Sequence, residues 1–320
     1  MAVYTTIEDQ EIIDLLDRYD IGQLLSLASI AEGVENSNFL LRTDQNNFIL
    51  TLYEKRTNEA DLPFFMGLKQ HLSAAGVNCP LPIPDSGGNV LQRLAGRPGA
   101  IFSFLDGVSY RSPTAKHCEK LGKILAEMHV KTADFTQTRP NALGPDSWQA
   151  LLASIDRDPE DLPPQLRAQT KDLVSDIIDR WPDNLPIGTI HADLFPNNVM
   201  FVGDELTGVI DFYFACTDIL AYDLSICLNS WCFEKDGSFN ITKSAALIAG
   251  YQSVRPLSAA EIEALPILCT GSAIRFFLTR LYDWINTPKE ALVKPHDPME
   301  YWGKIRFHSR VTGASAYGLW

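Results

Sequence analysis

His191-Ala192-Asp193-Leu194-Phe195-Pro196-Asn197-Asn198-Val199-Met200-Phe201, followed by Ile210-Asp211-Phe212, is the stretch on which the reading of this chain turns. It sets an Asp, an Asn and a second Asp at spacings that suit phosphoryl transfer to a hydroxyl group. Asp193 can accept the proton of an attacking hydroxyl. Asn198 and Asp211 offer a neutral and an anionic oxygen to Mg²⁺. Hard cations take oxygen ligands, and a magnesium site needs only one or two carboxylates because phosphates and waters complete its octahedron. Residues 199–202 read as a short strand and residues 206–210 as a second, with Gly203-Asp204 as the turn between them. Such a hairpin carries Asn198 and Asp211 side by side at one end, so their separation in sequence does not prevent a shared metal.

Length and composition narrow the partners. A chain of 320 residues holds one large or two modest domains. With 46% hydrophobic and 21% charged residues it has an ordinary globular composition and a sizeable core. A net charge of −13 argues against nucleic acid, because phosphate binding needs clustered Lys and Arg. The same acidity disfavours an anionic membrane surface. Six cysteines (Cys79, Cys118, Cys216, Cys227, Cys232 and Cys269) are scattered without C-x-x-C spacing. They read as buried free thiols of a reducing cytosol, and no Cys or His pair has zinc-ligand spacing. Residues 1–20 carry Glu8, Asp9, Glu11, Asp14 and Asp17 and read as an acidic amphipathic helix, not a signal peptide. No uninterrupted apolar run reaches the roughly 18 residues that suggest a membrane span. The expected location is cytoplasmic.

The organisation changes along the chain. Residues 30–34 and 38–43 read as two strands around a turn at Glu35-Asn36-Ser37, and residues 47–53 as a third. A helix follows over residues 62–75, stopped by Gly76. The Pro-rich residues 79–84 must be extended. Residues 89–94 and 98–105 read as two further strands. Asp106-Gly107 closes this region, and the boundary is drawn between 1–106 and 107–320. The remainder is mainly helical. Ser112-Pro113 reads as a helix start, with Cys118, Leu121, Leu125 and Met128 on one face. Residues 165–181, 241–251, 259–277 and 277–286 also read as helices.

The pattern H-x-D-x-x-x-x-N, a hydrophobic strand, then I-D-F resembles the catalytic loop and metal-binding Asp of the aminoglycoside phosphotransferase and choline kinase superfamily, relatives of protein kinases. Several strings resemble a narrower family, the bacterial homoserine kinases of the kinase-like type. They are Asn47-Phe-Ile-Leu-Thr-Leu-Tyr-Glu54, Asp61-Leu-Pro-Phe-Phe65, Pro80-Leu-Pro82, His117-Cys118 with Leu121-Gly122 and His129, Ala273-Ile-Arg275-Phe-Phe with Arg280-Leu281, and Phe307-His308. The resemblance spans essentially the whole chain. It implies an α+β, two-lobed protein-kinase-like fold. A small antiparallel-sheet lobe with one helix (1–106) would bind ATP, and a larger helical lobe (107–320) would carry catalysis and substrate.

The resemblance also implies roles for particular residues. ATP and Mg²⁺ are the expected cofactors, with the nucleotide in the cleft between the lobes. The backbone of Ser103, Phe104 and Leu105 would meet the adenine edge. The turn from Gly33 to Asn38 would cover the phosphates, with Asn36, Ser37 and Asn38 cradling them. His191 would orient the loop that carries Asp193. One position departs from the kinase-like pattern. Thr51 stands on the third strand where a Lys or Arg normally holds the phosphates, with Lys55 and Arg56 just beyond. Glu59 and Asp61, at the start of the following helix, then lose their expected partner.

L-homoserine, the substrate the narrower family implies, presents a hydroxyl, an ammonium and a carboxylate. Asp218 and Asp223 are the acids available to the ammonium, with support of the catalytic loop as a second role for Asp223. Arg275 and Arg280 are the forks available to the carboxylate, Arg280 preferred. His117, His129, His296 and His308 read as packing or surface histidines. Two other readings stay open: a kinase for another small alcohol or amine such as choline, methylthioribose or an aminoglycoside, and a non-catalytic nucleotide-binding regulator.

Overall fold

The computed structural model describes residues 5, 7–30, 36–54, 57–155, 162–288 and 294–319. The chain divides into two compact units, one of residues 1–107 with 207–213, the other of residues 108–206 with 214–320. Gly33, Lys55 and Arg56, singled out above, lie outside the described residues, as does part of the 30–34 strand.

The first unit is an antiparallel five-stranded sheet with one helix before its first strand and another between its third and fourth. Its strands are β1 (Leu24–Ile30), β2 (Ser37–Thr43), β3 (Asn47–Leu52), β4 (Gln92–Leu94) and β5 (Arg97–Ser103), in the order β1-β2-β3-β5-β4. Alternation along β2 and β3 decides which face is buried. Phe39, Leu41, Phe48, Leu50 and Ile101 pack in one cluster with Ile12, Leu15 and Leu16 of helix α1 (Asp9–Leu16). Helix α2 (Leu62–Ala74) ends before Gly76, whose φ of +85° is the left-handed stop expected of it. Residues 31–34 of the expected first strand lie outside the described residues, and the first described strand lies at 24–30. It is the edge strand, mostly exposed (Leu25 is 68% accessible) and bulged between Leu24 and Ser26, so it shows no period-two pattern in sequence.

The second unit is mainly helical. It contains α3 (Ala115–Lys131), α4 (Pro145–Ala153), α5 (Leu166–Asp179), α6 (Leu220–Trp231), α7 (Ile241–Gln252), α8 (Ala259–Asn286) and α9 (Met299–His308). Strands β6 (Ile187–Ile190) and β9 (Cys216–Ile219) pair antiparallel, with Ile187 opposite Ile219 and Ile190 opposite Cys216. Strand β7 (Val199–Val202) and β8 (Glu205–Val209) form the expected hairpin, and β8 continues into the first unit from Thr207.

Several helices differ from the sequence reading. Helix α3 starts after Thr114, whose hydroxyl accepts from the His117 N–H at 3.4 Å, and not at Ser112-Pro113. The two helices read over 259–286 are one, running through Pro266. Helix α6 had no sequence signal because it is buried on every side, so it has no polar face to set a 3.6-residue period. Among the described residues, only α8 has the length and apolar composition of a membrane span, but 72% of that window is buried inside the protein.

Helices α3 and α7 meet backbone to backbone. A methyl group on Gly122 would strike the Leu247 carbonyl oxygen, and one on Gly250 would strike that of Glu119. Neither obstacle is a flexible side chain, so neither can turn away. Gly122→Ala should therefore cost about 1–3 kcal/mol or more, read as a lower Tm. Gly303→Ala, in α9 with nothing within 4 Å of the new methyl, should instead stabilise by about 1 kcal/mol.

His308 gives the fold a pH dependence. It is 1% exposed, with Nδ1 2.9 Å from the Tyr317 hydroxyl and Nε2 3.1 Å from Asn229 Oδ1. Burial, helped by the nearby Lys304 charge, pushes its pKa down to about 3. The unfolded chain then binds a proton that the folded chain refuses, from the ordinary histidine value near 6.5 down to about 3. Stability is thus full above that upper value and falls on acidification, by up to about 1.4 kcal/mol per pH unit. Melting curves should show Tm dropping between pH 6.5 and 5, and His308→Asn should flatten that slope.

Candidate active site

The catalytic-loop residues belong to the second unit. Strand β6 delivers the chain to His191, and a 3₁₀ turn over Pro196–Asn198 carries it into β7. Between them lies an irregular loop whose backbone groups have no ladder to join. Some pair within the loop, and those of residues 191, 192 and 194 meet side chains from helices.

Asp223, on the first turns of α6, is fully buried. Its carboxylate accepts the backbone N–H of His191 at 2.7 Å and that of Ala192 at 2.9 Å. His129 Nε2, from α3, lies 3.2 Å from the same carboxylate, and His129 Nδ1 lies 2.8 Å from the Tyr251 hydroxyl of α7. Burial alone would raise the Asp223 pKa. The His129 hydrogen bond and charge, the His191 charge and the backbone N–H more than offset it, and the carboxyl sits below its ordinary range. Arg275, 2% exposed on α8, donates to the Ala192 carbonyl and lies over the rings of Phe214 (5.4 Å) and Phe276 (4.6 Å). The Trp231 indole N–H donates to the Leu194 carbonyl at 2.8 Å.

These grips hold a strained backbone. Ala192 has φ of +61°, a left-handed conformation unfavourable for any residue with a Cβ. Its N–H is held by Asp223 and its carbonyl by Arg275, so both ends of the strained residue are fixed by ionised side chains. Downstream, the Asp193 N–H donates to His191 Nδ1 at 3.3 Å. The Asn198 amide nitrogen donates to the Asp193 carbonyl at 2.8 Å and to Asp193 Oδ2 at 3.2 Å. His191 is therefore an orienting residue, its Nδ1 lone pair used within the loop. Asn198 turns its amide nitrogen to Asp193. Its oxygen takes one bond, from Asn197 Nδ2 at 3.2 Å, and keeps acceptor capacity. A neutral amide oxygen with spare capacity is what a hard cation takes, so Asn198 fits a Mg²⁺ ligand. Among the described residues no cluster of three or more His, Cys, Asp or Glu offers a preformed metal cage.

Asp211 belongs to the first unit and is the second loop residue held at positive φ, +64°. Two residues on, the Tyr213 hydroxyl lies 3.2 Å from that of Tyr53 and accepts from Lys69 Nζ at 3.3 Å.

The expected nucleotide residues fare unevenly. Ser37 donates its hydroxyl to buried Glu54 at 2.7 Å, Asn38 Oδ1 accepts from Thr51 at 2.7 Å, and Asn36 Oδ1 accepts from Thr57 at 3.0 Å. These side chains brace the first unit around Glu54, which Arg97 also approaches at 3.3 Å. Ser103 donates its N–H to the Leu81 carbonyl at 2.8 Å and so cannot give it to an adenine. Phe104 and Leu105 lie past the end of the strand.

The substrate assignments also shift. Asp223 is a loop support, sealed from any substrate. Arg280, the preferred fork, is paired with Glu300 at 2.6 Å over the Tyr301 ring. Glu300, despite its burial, is pulled down to about 2 by Lys304 and Arg280. Arg275 serves the Ala192 carbonyl. Asp218 is different. It accepts from Asn141 Nδ2 at 2.7 Å and from the Ile219 N–H at 2.7 Å, both neutral donors, and burial raises its pKa. His129 is the functional residue that sequence reasoning passed over. Its spacing was a signal: it falls four residues after Leu125 on the apolar face of α3, where a histidine must find a partner.

Comparisons with known proteins give the family and the fold. Residues 26–257 match the phosphotransferase enzyme family. Proteins named homoserine kinase from Rhizobium johnstonii and Agrobacterium fabrum are each 56% identical over 319 residues, covering 100% of this chain and 99% of theirs. One from Rhizobium meliloti is 55% identical over 319 residues. Among solved structures, spectinomycin phosphotransferase with ADP and spectinomycin superposes with a TM-score of 0.68 at 14% identity, covering 97% of both chains. Amicoumacin kinase in complex with AMP-PNP, Ca²⁺ and Ami gives 0.67 at 14% identity, covering 94% of this chain and 92% of that one. The latter two establish the protein-kinase-like α+β fold.

Asp223→Asn should lower Tm and cut turnover at least about a hundredfold, because an amide cannot accept two N–H groups and face His129 as a carboxylate does. Asp193→Asn should cut turnover as deeply and leave Tm nearly unchanged. Scanning calorimetry beside a steady-state assay separates the two outcomes.

Proposed function

The chain belongs to the phosphotransferase enzyme family, and we propose that it is a homoserine kinase, transferring the γ-phosphoryl group of ATP to the hydroxyl of L-homoserine. The product is O-phospho-L-homoserine, an intermediate of threonine biosynthesis. The observation that carries this reading is full-length identity of 56% to homoserine kinases, in a chain whose loop keeps Asp193 and Asn198 in mutual contact. A regulator that had lost catalysis would have no reason to keep that loop gripped from both α6 and α8. The buried free thiols support a cytoplasmic setting.

In this reading Asp193 accepts the hydroxyl proton as the oxygen attacks in line. The transition state is loose, so a weak base suffices, and most of the catalysis is positioning and charge stabilisation. The Asn198 amide fixes the Asp193 carboxylate. His191 fixes the Asp193 peptide. Asp223, His129 and Arg275 fix the peptide before it. Mg²⁺, when bound, neutralises charge on the transferring phosphates, and Asn198 and Asp211 are the residues assigned to hold it. The backbone beyond Ser103, at Phe104 and Leu105, is assigned to the adenine. Asp218 is assigned to the substrate ammonium. Its hydrogen bonds come from neutral donors, and the Arg275 charge does not overcome its burial, so it gains from a further cation.

A coupled assay of ADP release with MgATP should show turnover with L-homoserine and little with choline, kanamycin or methylthioribose. Activity on one of those with none on homoserine would sink the proposal. Asp218→Asn should raise KM for homoserine about tenfold or more and leave KM for ATP nearly unchanged. In the parent protein, KM for homoserine should rise on acidification at a pH above the ordinary carboxylate range, since protonated Asp218 no longer attracts the ammonium. That rise should be absent from Asp218→Asn.

A further inference from the structure

The third strand lacks a cation at Thr51, yet one reaches the same face of the sheet from a different element. Strands β3 and β5 pair Ile49 with Phe102 and Thr51 with Ala100. Residues paired across an antiparallel ladder share a face. Lys69, in the middle of α2, sets its ammonium 4.1 Å from the centroid of the Phe102 ring. A second ring, Tyr213, lies 4.4 Å away on the segment that follows Asp211, and its hydroxyl accepts from Nζ at 3.3 Å. Tyr213 is tied in turn to Tyr53, just beyond β3, by their two hydroxyls at 3.2 Å. The negative charge of Asp211 reaches this cluster, since it is among the influences that raise the Tyr53 pKa, after burial and Tyr213.

The compensation of this charge is incomplete. Lys69 is 2% exposed, and among the described residues no carboxylate lies within 4 Å of its nitrogen. One phenol oxygen and two ring faces satisfy part of an ammonium that carries three donors. A lysine kept buried without an acid is costly, and a packing role alone would be filled better by Met or Leu.

We propose that Lys69 supplies the positive charge that β3 lacks, as a positioning residue that acts through Tyr213 on the Asp211 segment and so favours a metal-bound nucleoside di- or triphosphate. Sealed under two rings, it does not itself touch the phosphates. The charge comes from helix α2, the element on which the kinase-like pattern would place an acid. The inference rests on the reading of this chain as an ATP-dependent kinase, and is independent of which alcohol it phosphorylates.

Titration calorimetry of the full chain with adenosine, and separately with ADP plus Mg²⁺, tests it. Lys69→Met should weaken Mg-ADP about tenfold and leave adenosine within about twofold. Lys69→Arg should recover most of the loss, and Tyr213→Phe, which removes only the hydroxyl that Nζ meets, should give a smaller loss in the same direction. Unchanged Mg-ADP affinity in Lys69→Met, or equal losses for adenosine and Mg-ADP, overturns the proposal. If Lys69→Met does not fold, Tyr213→Phe decides, and unchanged Mg-ADP affinity there overturns it. Homoserine is absent throughout, so a chain that binds as described but does not phosphorylate homoserine would lose the substrate assignment alone.

Discussion

A single buried carboxylate, Asp223, organises the catalytic loop. It accepts the N–H groups of His191 and Ala192, and His129 in turn braces it. A charge without water is tolerable only when its lone pairs are filled, and here backbone and imidazole fill them. The consequence reaches beyond the loop. His129 brings α3 to the same point, Tyr251 brings α7, and Arg275 brings α8 to the other side of Ala192. The helices of the second unit are thus arranged around one peptide, and the Asp193 carboxylate is aimed by the residues that hold that peptide still.

The strain at Ala192 makes sense in that setting. Glycine would enter the left-handed region without cost and leave it as easily. Alanine at φ of +61° stays only because the surroundings overrule its preference, at an expense of about 1–3 kcal/mol that is offset by two charged hydrogen bonds. Asp211 also has a positive φ, +64°, in the first unit. Ala192 adjoins Asp193, and Asp211 is itself assigned to the metal, positions where fixed geometry matters more than local ease.

Much of this was legible in the sequence, for identifiable reasons. The loop from His191 to Asn198 and the hairpin after it declare themselves because their residue types and spacing carry the chemistry. Strands β2 and β3 and helices α2 and α7 follow from ordinary periodicity and end signals. What stayed hidden was what depends on long-range contact. Helix α6 has no polar face. The edge strand β1 has no buried one. The tie between His129 and Asp223 joins residues 94 apart in sequence. Arg275 and Arg280 looked alike as forks, and only packing shows one spent on the Ala192 carbonyl and the other on Glu300. Ser37 and Asn38, which a turn might have offered to a ligand, are spent on Glu54 and Thr51.

The grips on the loop have one property in common. Asp223, Arg275 and Trp231 make hydrogen bonds with the N–H and C=O groups of residues 191, 192 and 194. Every amino acid except proline carries both groups, so these hydrogen bonds fix the path of the chain without reading its side chains. The side chains of His191, Ala192 and Leu194 are read separately, by packing, since none is more than 3% exposed. Path and packing are thus held by different means, and a change in one of these side chains is felt through the core with the hydrogen bonds on the backbone left in place.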